Sequence, residues 1–129
     1  MDDFLGRGLA HPLRLNPEDD RLQLVSGEES IAQSIRLILR TRPGERVTRP
    51  DFGCAVEDLL FGPLNTVTLS RMENRVKEAL RRFEPRILVE EVRARVHSTE
   101  GCVLVEVIYR IRRTNSRHNL VYPFYLEER

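Results

Sequence analysis

Several residue types are scarce in this chain of 129 residues, which has no tryptophan, two cysteines and an aromatic content of 6%. A core built from such a sequence is mainly aliphatic. The 21 Lys and Arg residues balance 20 Asp and Glu residues, so the formal net charge is only +1. Because no strong overall field draws the chain to phosphate groups or anionic lipid, the composition predicts neither a nucleic-acid-binding nor a membrane-binding protein.

Metal and cofactor sites are not indicated by the spacing of the ligand-type residues. Cys54 and Cys102 lie far apart and form no C-x-x-C motif, so we expect two buried free thiols. The histidines follow no metal-ligand spacing and are expected at the surface: His11, His97 and His118. The Gly6–Gly8 segment lacks the third glycine of a dinucleotide loop and follows no strand. The sequence therefore predicts no metal and no cofactor.

The N-terminus opens with acidic residues and shows no basic segment followed by an apolar one, and no later run approaches the length of a membrane span. We therefore expect the chain to fold in the cytoplasm of the cell that makes it. Residues 1–25 contain glycines, prolines and an acidic cluster, which predicts an irregular N-terminal arm with one short strand at Leu22–Val25. Residues 26–129 are predicted to form one α+β domain.

Helical periodicity dominates the first part of that domain. Ser26 and Glu29 have capping-box spacing, and apolar residues then recur on one face until Pro43-Gly44, which predicts a helix ending near Thr41. A helix of one or two turns is expected between Val56 and Phe61. A second long helix is predicted after Asn65, because Leu69, Met72, Val76, Leu80 and Phe83 keep helical spacing before Pro85.

The last third changes to a two-residue period, which is typical of strands with one buried face. Alternation predicts a first strand up to His97, a turn at residues 98–101 and a second strand through Ile111. After a polar turn at residues 114–119, a third strand is expected, and Pro123 within it indicates an edge position. The predicted fold is α+β, with two amphipathic helices packed on a C-terminal antiparallel meander.

Catalysis finds little support in the residue types. Four carboxylates cluster in the connector between the long helices, namely Glu45, Asp51, Glu57 and Asp58. A glycosidase needs two carboxyl groups facing one cleft, so a hydrolase is one interpretation of this cluster. A solvated, capped loop carries the same residues, and no serine has a nucleophile-elbow context. We predict no catalytic residues, and the protein is expected to bind other proteins.

One junction has an unusual charge arrangement. Glu84, Pro85 and Arg86 place opposite charges on either side of a proline, where the second long helix leads into the first strand. The stiff, extended backbone there suits a preset charged clamp for a partner. The alternative is a pair that satisfies the helix end or lies on the surface, where it contributes about 0 to 1 kcal/mol.

The combination of motifs resembles the GPW family of contractile-tail baseplate wedge proteins, whose relative in type VI secretion is TssE. The resemblance covers nearly the whole chain, from the glycine-rich entry at Gly6–Gly8 and Pro12 onward. Its other motifs are Thr41–Arg46, Arg49–Gly53, Leu59–Phe61, Phe83–Ile87, Thr114-Asn115 and Val121–Phe124.

The resemblance implies a structural role in the baseplate of a phage tail or a related injection machine, where family members start sheath polymerisation. It implies that Glu84, Pro85 and Arg86 dock on the baseplate wedge. The C-terminal strands would accept a sheath strand at an edge formed by Tyr122, Phe124, Tyr125 and Leu126. Expected partners are wedge proteins and sheath subunits, with tube or hub proteins as further candidates. The isolated chain is expected to be a monomer that joins a hexagonal ring in the machine.

The resemblance leaves the setting open. The middle region departs from the TssE pattern and is closer to the phage and extracellular-injection branch, but a phage tail, a tailocin and an extracellular injection system would use such a protein alike. Some family members carry an old lysozyme label, and a peptidoglycan-degrading hydrolase of the tail is therefore kept as the alternative function.

Overall fold

The computed structural model describes residues 17–46 and 48–126. The elements follow the order α1 (Pro17–Arg40), α2 (Glu57–Leu60), α3 (Thr66–Phe83), β1 (Ile87–His97), β2 (Cys102–Ile111) and β3 (Ser116–Tyr125). The three strands form one antiparallel sheet in the order β1-β2-β3. The predicted α+β class, with helices first and a meander last, is confirmed.

Helix α1 begins earlier than the sequence pattern predicted. It starts at Pro17, so the predicted start at Ser26 is wrong, and the short strand predicted at Leu22–Val25 is helical. Proline fits the first position of a helix, because its fixed φ suits the helix and its missing N–H has no partner there in any case. The rest of the predicted arm, residues 1–16, lies outside the described residues.

Helix α3 has the limits that the sequence predicted. The Asn65 side chain caps its first turn by accepting a hydrogen bond from the Thr68 N–H at 2.9 Å. At the other end, the Glu84 N–H still donates to the Leu80 carbonyl, and Pro85 prevents a further turn. The short helix expected between Val56 and Phe61 is also present, as α2.

The core lies between the helices and one face of the sheet. Helix α3 packs on β1, and α1 contacts both α3 and β3. The apolar residues at helical spacing in α1 and α3 are buried together with the alternating residues of β2: Ile31, Ile35, Ile38, Met72, Val76, Leu80, Val103, Val105, Val107, Tyr109 and Ile111. Both cysteines are buried and free, as predicted. None of the described helices combines the length and apolarity needed to cross a bilayer.

The third strand starts before the point predicted from its alternation. β3 begins at Ser116, because a tight turn with Asn115 in the left-handed region (φ 55°) already closes the hairpin from β2. His118 therefore lies in a strand, half-buried and stacked on Tyr109 with ring centroids 5.5 Å apart, and its predicted position in a surface turn is wrong. β3 is an edge strand, as Pro123 indicated.

Candidate functional site

The Glu84 carboxylate is enclosed at the junction of α1, α3 and β1. Its side chain is 2% exposed, and both oxygens have donors. Arg86 Nε donates to Oε2 at 2.6 Å and Arg86 Nη2 donates to Oε1 at 3.0 Å. The Ser34 hydroxyl of α1 donates to Oε1 at 2.5 Å. This set ties the two long helices and the start of the sheet to one buried charge.

The outer part of the same motif remains accessible. Pro85 is exposed, and the Arg86 side chain keeps 31% of its surface. Arg112 fixes this backbone, because its N–H donates to the Arg86 carbonyl at 2.9 Å and its Nε donates to the Pro85 carbonyl at 3.0 Å. Of the three residues predicted to dock on a wedge, Pro85 and Arg86 can reach a partner, whereas the Glu84 carboxylate is used inside the domain.

Ser34 is the member of this site that the sequence pattern does not predict. It lies 50 residues before Glu84, between the apolar residues of α1, and its own segment gives no indication of a distant acceptor. The available signal is a serine that lies beside Ile31 and Ile38 on the helix, because a hydroxyl that packing removes from water needs a hydrogen-bond partner.

The second predicted surface is the C-terminal edge of the sheet. Phe124 is buried, Tyr122 and Leu126 are half-buried against the core, and the Tyr122 and Phe124 rings meet edge to face at 4.9 Å. Tyr125 points to the other face of the sheet and is 61% exposed. The structure thus places three of the four predicted residues inward, and the accessible part of this edge is mainly its backbone.

The backbone of β3 presents a row of outward groups. The Leu126 N–H donates to the Gly101 carbonyl at 2.9 Å, so it points toward β2. Because directions alternate along a strand, the N–H of Tyr125 points away from the sheet, as does that of Val121. Pro123, which is opposite Leu104, shares this outward orientation but has no N–H to donate. The β3 edge therefore has outward donors on both sides of a gap at Pro123.

The four carboxylates of the connector do not converge on one cleft. Each is paired with an arginine: Glu45 and Glu57 with Arg42, Asp58 with Arg75, and Asp51 with Arg82. The geometry is that of surface ion pairs, and those of Asp51 and Asp58 link the connector to α3. Among the described residues, no cluster of three metal-ligating side chains is present.

The arginines and phenylalanines of the central motifs form a common cluster. The ring centroids of Phe52 and Phe83 lie 5.0 Å apart. The Arg49 guanidinium lies over both rings, 5.5 Å from the Phe52 centroid and 5.3 Å from the Phe83 centroid. Arg82 is 5.1 Å from the Phe83 centroid. These cation–π contacts connect the Arg49–Gly53 motif to the end of α3.

Comparison with known proteins identifies the family. Residues 25–116 match the model of the baseplate wedge protein gp25 family, and the chain belongs to that family. The baseplate wedge protein gp25 of Enterobacteria phage T4 is 39% identical over 61 residues, which cover 47% of this chain and 46% of the phage protein. The chain therefore aligns with less than half of that relative.

Two solved structures resemble the fold described above. A Geobacter sulfurreducens protein described as a tail lysozyme is 56% identical, with a TM-score of 0.74 over 78% of this chain and 92% of that one. A chain of the baseplate complex from the type VI secretion system has a TM-score of 0.67 over 84% of this chain and 98% of that one. At 19% identity, the second likeness concerns the fold alone.

Proposed function

We propose that this chain is a structural component of a contractile-tail baseplate, where it docks on other wedge proteins and starts sheath polymerisation by accepting a strand. Membership of the baseplate wedge family supports the location. The observation that carries the mechanism is the edge position of β3, with N–H groups directed away from the sheet. The particle is a phage tail, a tailocin or an extracellular injection system, assembled in the cytoplasm of the producing cell.

Strand addition suits this edge because main-chain hydrogen bonds supply affinity without a side-chain pocket. Free edges also invite self-pairing, which natural sheets limit with proline and charge. Pro123 removes one donor from the middle of the outward row, and the exposed Arg117 lies on the same strand. A strand that tolerates the missing donor at Pro123 can pair here. In a pair of two β3 strands, each strand would lack that donor and each would carry the positive charge of Arg117, which disfavours self-pairing.

A proline at Tyr125 tests strand addition with little effect on the sheet. The Tyr125 N–H points outward, so Tyr125→Pro removes a donor for an incoming strand and leaves the bond from Leu126 to Gly101 in place. Tyr125→Ala is the matched control, because it removes the exposed ring but keeps the N–H. We expect Tyr125→Pro to fold and enter baseplates without starting sheaths, while Tyr125→Ala starts them. Full-length sheaths on Tyr125→Pro baseplates would contradict strand addition at this edge.

Docking through Pro85 and Arg86 needs a test that separates the exposed guanidinium from the buried pair. Arg86→Lys keeps a cation beside Glu84 but loses the guanidinium N–H groups that the pair with Glu84 leaves available to a partner. Ser34→Ala weakens the buried site and leaves the exposed surface unchanged. If Arg86 docks on the wedge, Arg86→Lys fails to incorporate into baseplates and Ser34→Ala incorporates normally. Equal incorporation of both variants argues against docking through the guanidinium.

The alternative function is hydrolysis of peptidoglycan, which is suggested by the similarity to the Geobacter sulfurreducens protein described as a tail lysozyme. Its only candidate acids in the connector are the four arginine-paired carboxylates. Purified parent protein and a variant with Glu45, Asp51, Glu57 and Asp58 replaced by their amides are compared on cell-wall substrate. Digestion by the parent and not by the variant would establish an activity that a structural role does not explain.

A further inference from the structure

The sheet has a second edge, and one of the outward N–H groups of this edge is already hydrogen-bonded within the chain. β1 is the other outer strand, and its Ala94 N–H points away from β2. Instead of facing solvent, this N–H donates to Glu73 Oε2 of α3 at 2.8 Å. A side chain from the overlying helix thus occupies the outward donor near the middle of the strand.

The position of that carboxylate matters for pairing. A neighbouring strand would have to place a carbonyl oxygen where the Glu73 oxygen now lies, at hydrogen-bond distance from Ala94. The edge is also interrupted toward its start, because an extra residue between Val89 and Glu91 shifts the register with β2. Bulges and charged side chains are the devices by which natural sheets close an edge.

The strand most able to use an open β1 edge is β1 of a second copy. Its outer face carries Glu91 and Arg93, which pair with each other within the chain at 2.7 Å. In an antiparallel pair of two β1 strands centred on Val92, Glu91 of each copy would lie opposite Arg93 of the other, and opposite charges in such positions stabilise pairing. Val92 and Ala94 both point their N–H groups toward that second strand.

We propose that Glu73 closes the β1 edge against pairing with a second copy of this chain. If β3 accepts a partner strand, as the proposed function holds, Glu73 also determines which of the two edges is available for it. Glu73 determines which strands can pair with β1, because its carboxylate occupies the outward N–H of Ala94. Self-association of the purified chain tests the closure of the β1 edge without any sheath. A result against the closure is therefore distinguishable from a result against the proposed function.

Sedimentation velocity over a wide concentration range compares Glu73→Ala with Glu73→Gln, which retains a side-chain oxygen for Ala94. We expect Glu73→Ala to dimerise, while Glu73→Gln and the parent remain monomeric. In dilute samples the Ala94 amide should exchange with deuterium roughly tenfold faster in Glu73→Ala than in the parent, because a hydrogen bond to a charged group is lost.

A second change shows whether any dimer uses this edge. Adding Ala94→Pro to Glu73→Ala removes the outward donor without breaking a bond to β2, and it should restore the monomer. A Glu73→Ala protein that stays monomeric at every concentration would overturn the proposal, whatever the exchange rate at Ala94. Dimers that persist in the presence of Ala94→Pro would also overturn it, because they form elsewhere.

Discussion

A buried charge such as Glu84 stabilises a fold only while its partners are in place. The carboxylate accepts from Ser34 and from two nitrogens of Arg86, and these contacts offset the loss of hydration. The same motif faces outward at Pro85, so one short segment combines an internal contact with an exposed surface. A substitution at Arg86 therefore alters the buried pair as well as the exposed surface.

Arg86→Met should lower the free energy of unfolding by about 3 kcal/mol, because it leaves the buried Glu84 carboxylate without its cation. Urea denaturation measures this change. Arg93→Met is the matched control, since Arg93 pairs with Glu91 at the same spacing but on the exposed sheet face, and its midpoint should change little. Equal midpoints for the two variants would show that the buried pair does not stabilise the fold.

Cys54 gives a prediction for alkaline pH. Burial raises the pKa of its thiol from 9.0 to about 12, and the charge of Arg75 opposes this rise only in part. Because the unfolded chain releases this proton at lower pH than the folded one, the free energy of unfolding should fall as pH rises above about 9 and level off near 12. Burial also raises the pKa of Tyr109, in the same direction.

The contribution of Cys54 is isolated by comparison with Cys54→Ala. We expect the alkaline loss of stability, measured by urea denaturation at several pH values, to be smaller in the variant than in the parent. An identical pH dependence in both proteins would assign the loss to other groups.

At the scale of elements, the connector is fixed where it passes the end of α1. Gly53 has φ 129°, and a Cβ added there would lie 2.3 Å from the Thr41 carbonyl oxygen. The next residue, Cys54, donates its N–H to that same carbonyl at 2.9 Å. Glycine is therefore required by both the backbone angle and the space, and the motif Arg49–Gly53 depends on it.

Gly53→Ala should destabilise the protein by at least about 2 kcal/mol, because the positive φ is strained for alanine and the backbone must move to relieve the clash. Gly44→Ala is the matched control, since Gly44 also has a positive φ of 96° but open space around its Cβ position. We expect a cost of about 1 kcal/mol there. Thermal unfolding compares the two variants, and similar losses would mean that the close approach to Thr41 is unimportant.

Local sequence patterns predict most of the helices and strands but none of the long-range contacts. α3 and β2 followed from periodicity because their apolar faces pack directly on the core. Helical periodicity does not predict the start of α1, because Pro17 lies in a segment whose prolines and acidic residues are also typical of loops. The contacts of Glu84 with Ser34 and of Ala94 with Glu73 arise from packing of distant segments, which residue spacing does not encode.

At the scale of the whole molecule, the two candidate surfaces lie on different elements. Pro85 and Arg86 follow α3 at the start of the sheet, whereas the outward N–H groups belong to β3, with β2 between it and β1. If both surfaces are used as proposed, the chain binds one partner beside the α3–β1 junction and another along the far edge. In a ring, such contacts are heterologous, since each subunit offers different surfaces to different neighbours.

If the proposed function holds, baseplates that mix parent and Tyr125→Pro subunits should lose sheaths more steeply than in proportion to the fraction of variant. A first sheath ring needs strands accepted at neighbouring positions, so one blocked position disturbs the contacts of the subunits beside it. Co-expression at graded ratios, with sheathed tails counted by electron microscopy, measures this dependence. Tyr125→Ala mixed at the same ratios controls for dilution of the parent. A strictly proportional loss would mean that each subunit starts sheath assembly independently of its neighbours in the ring.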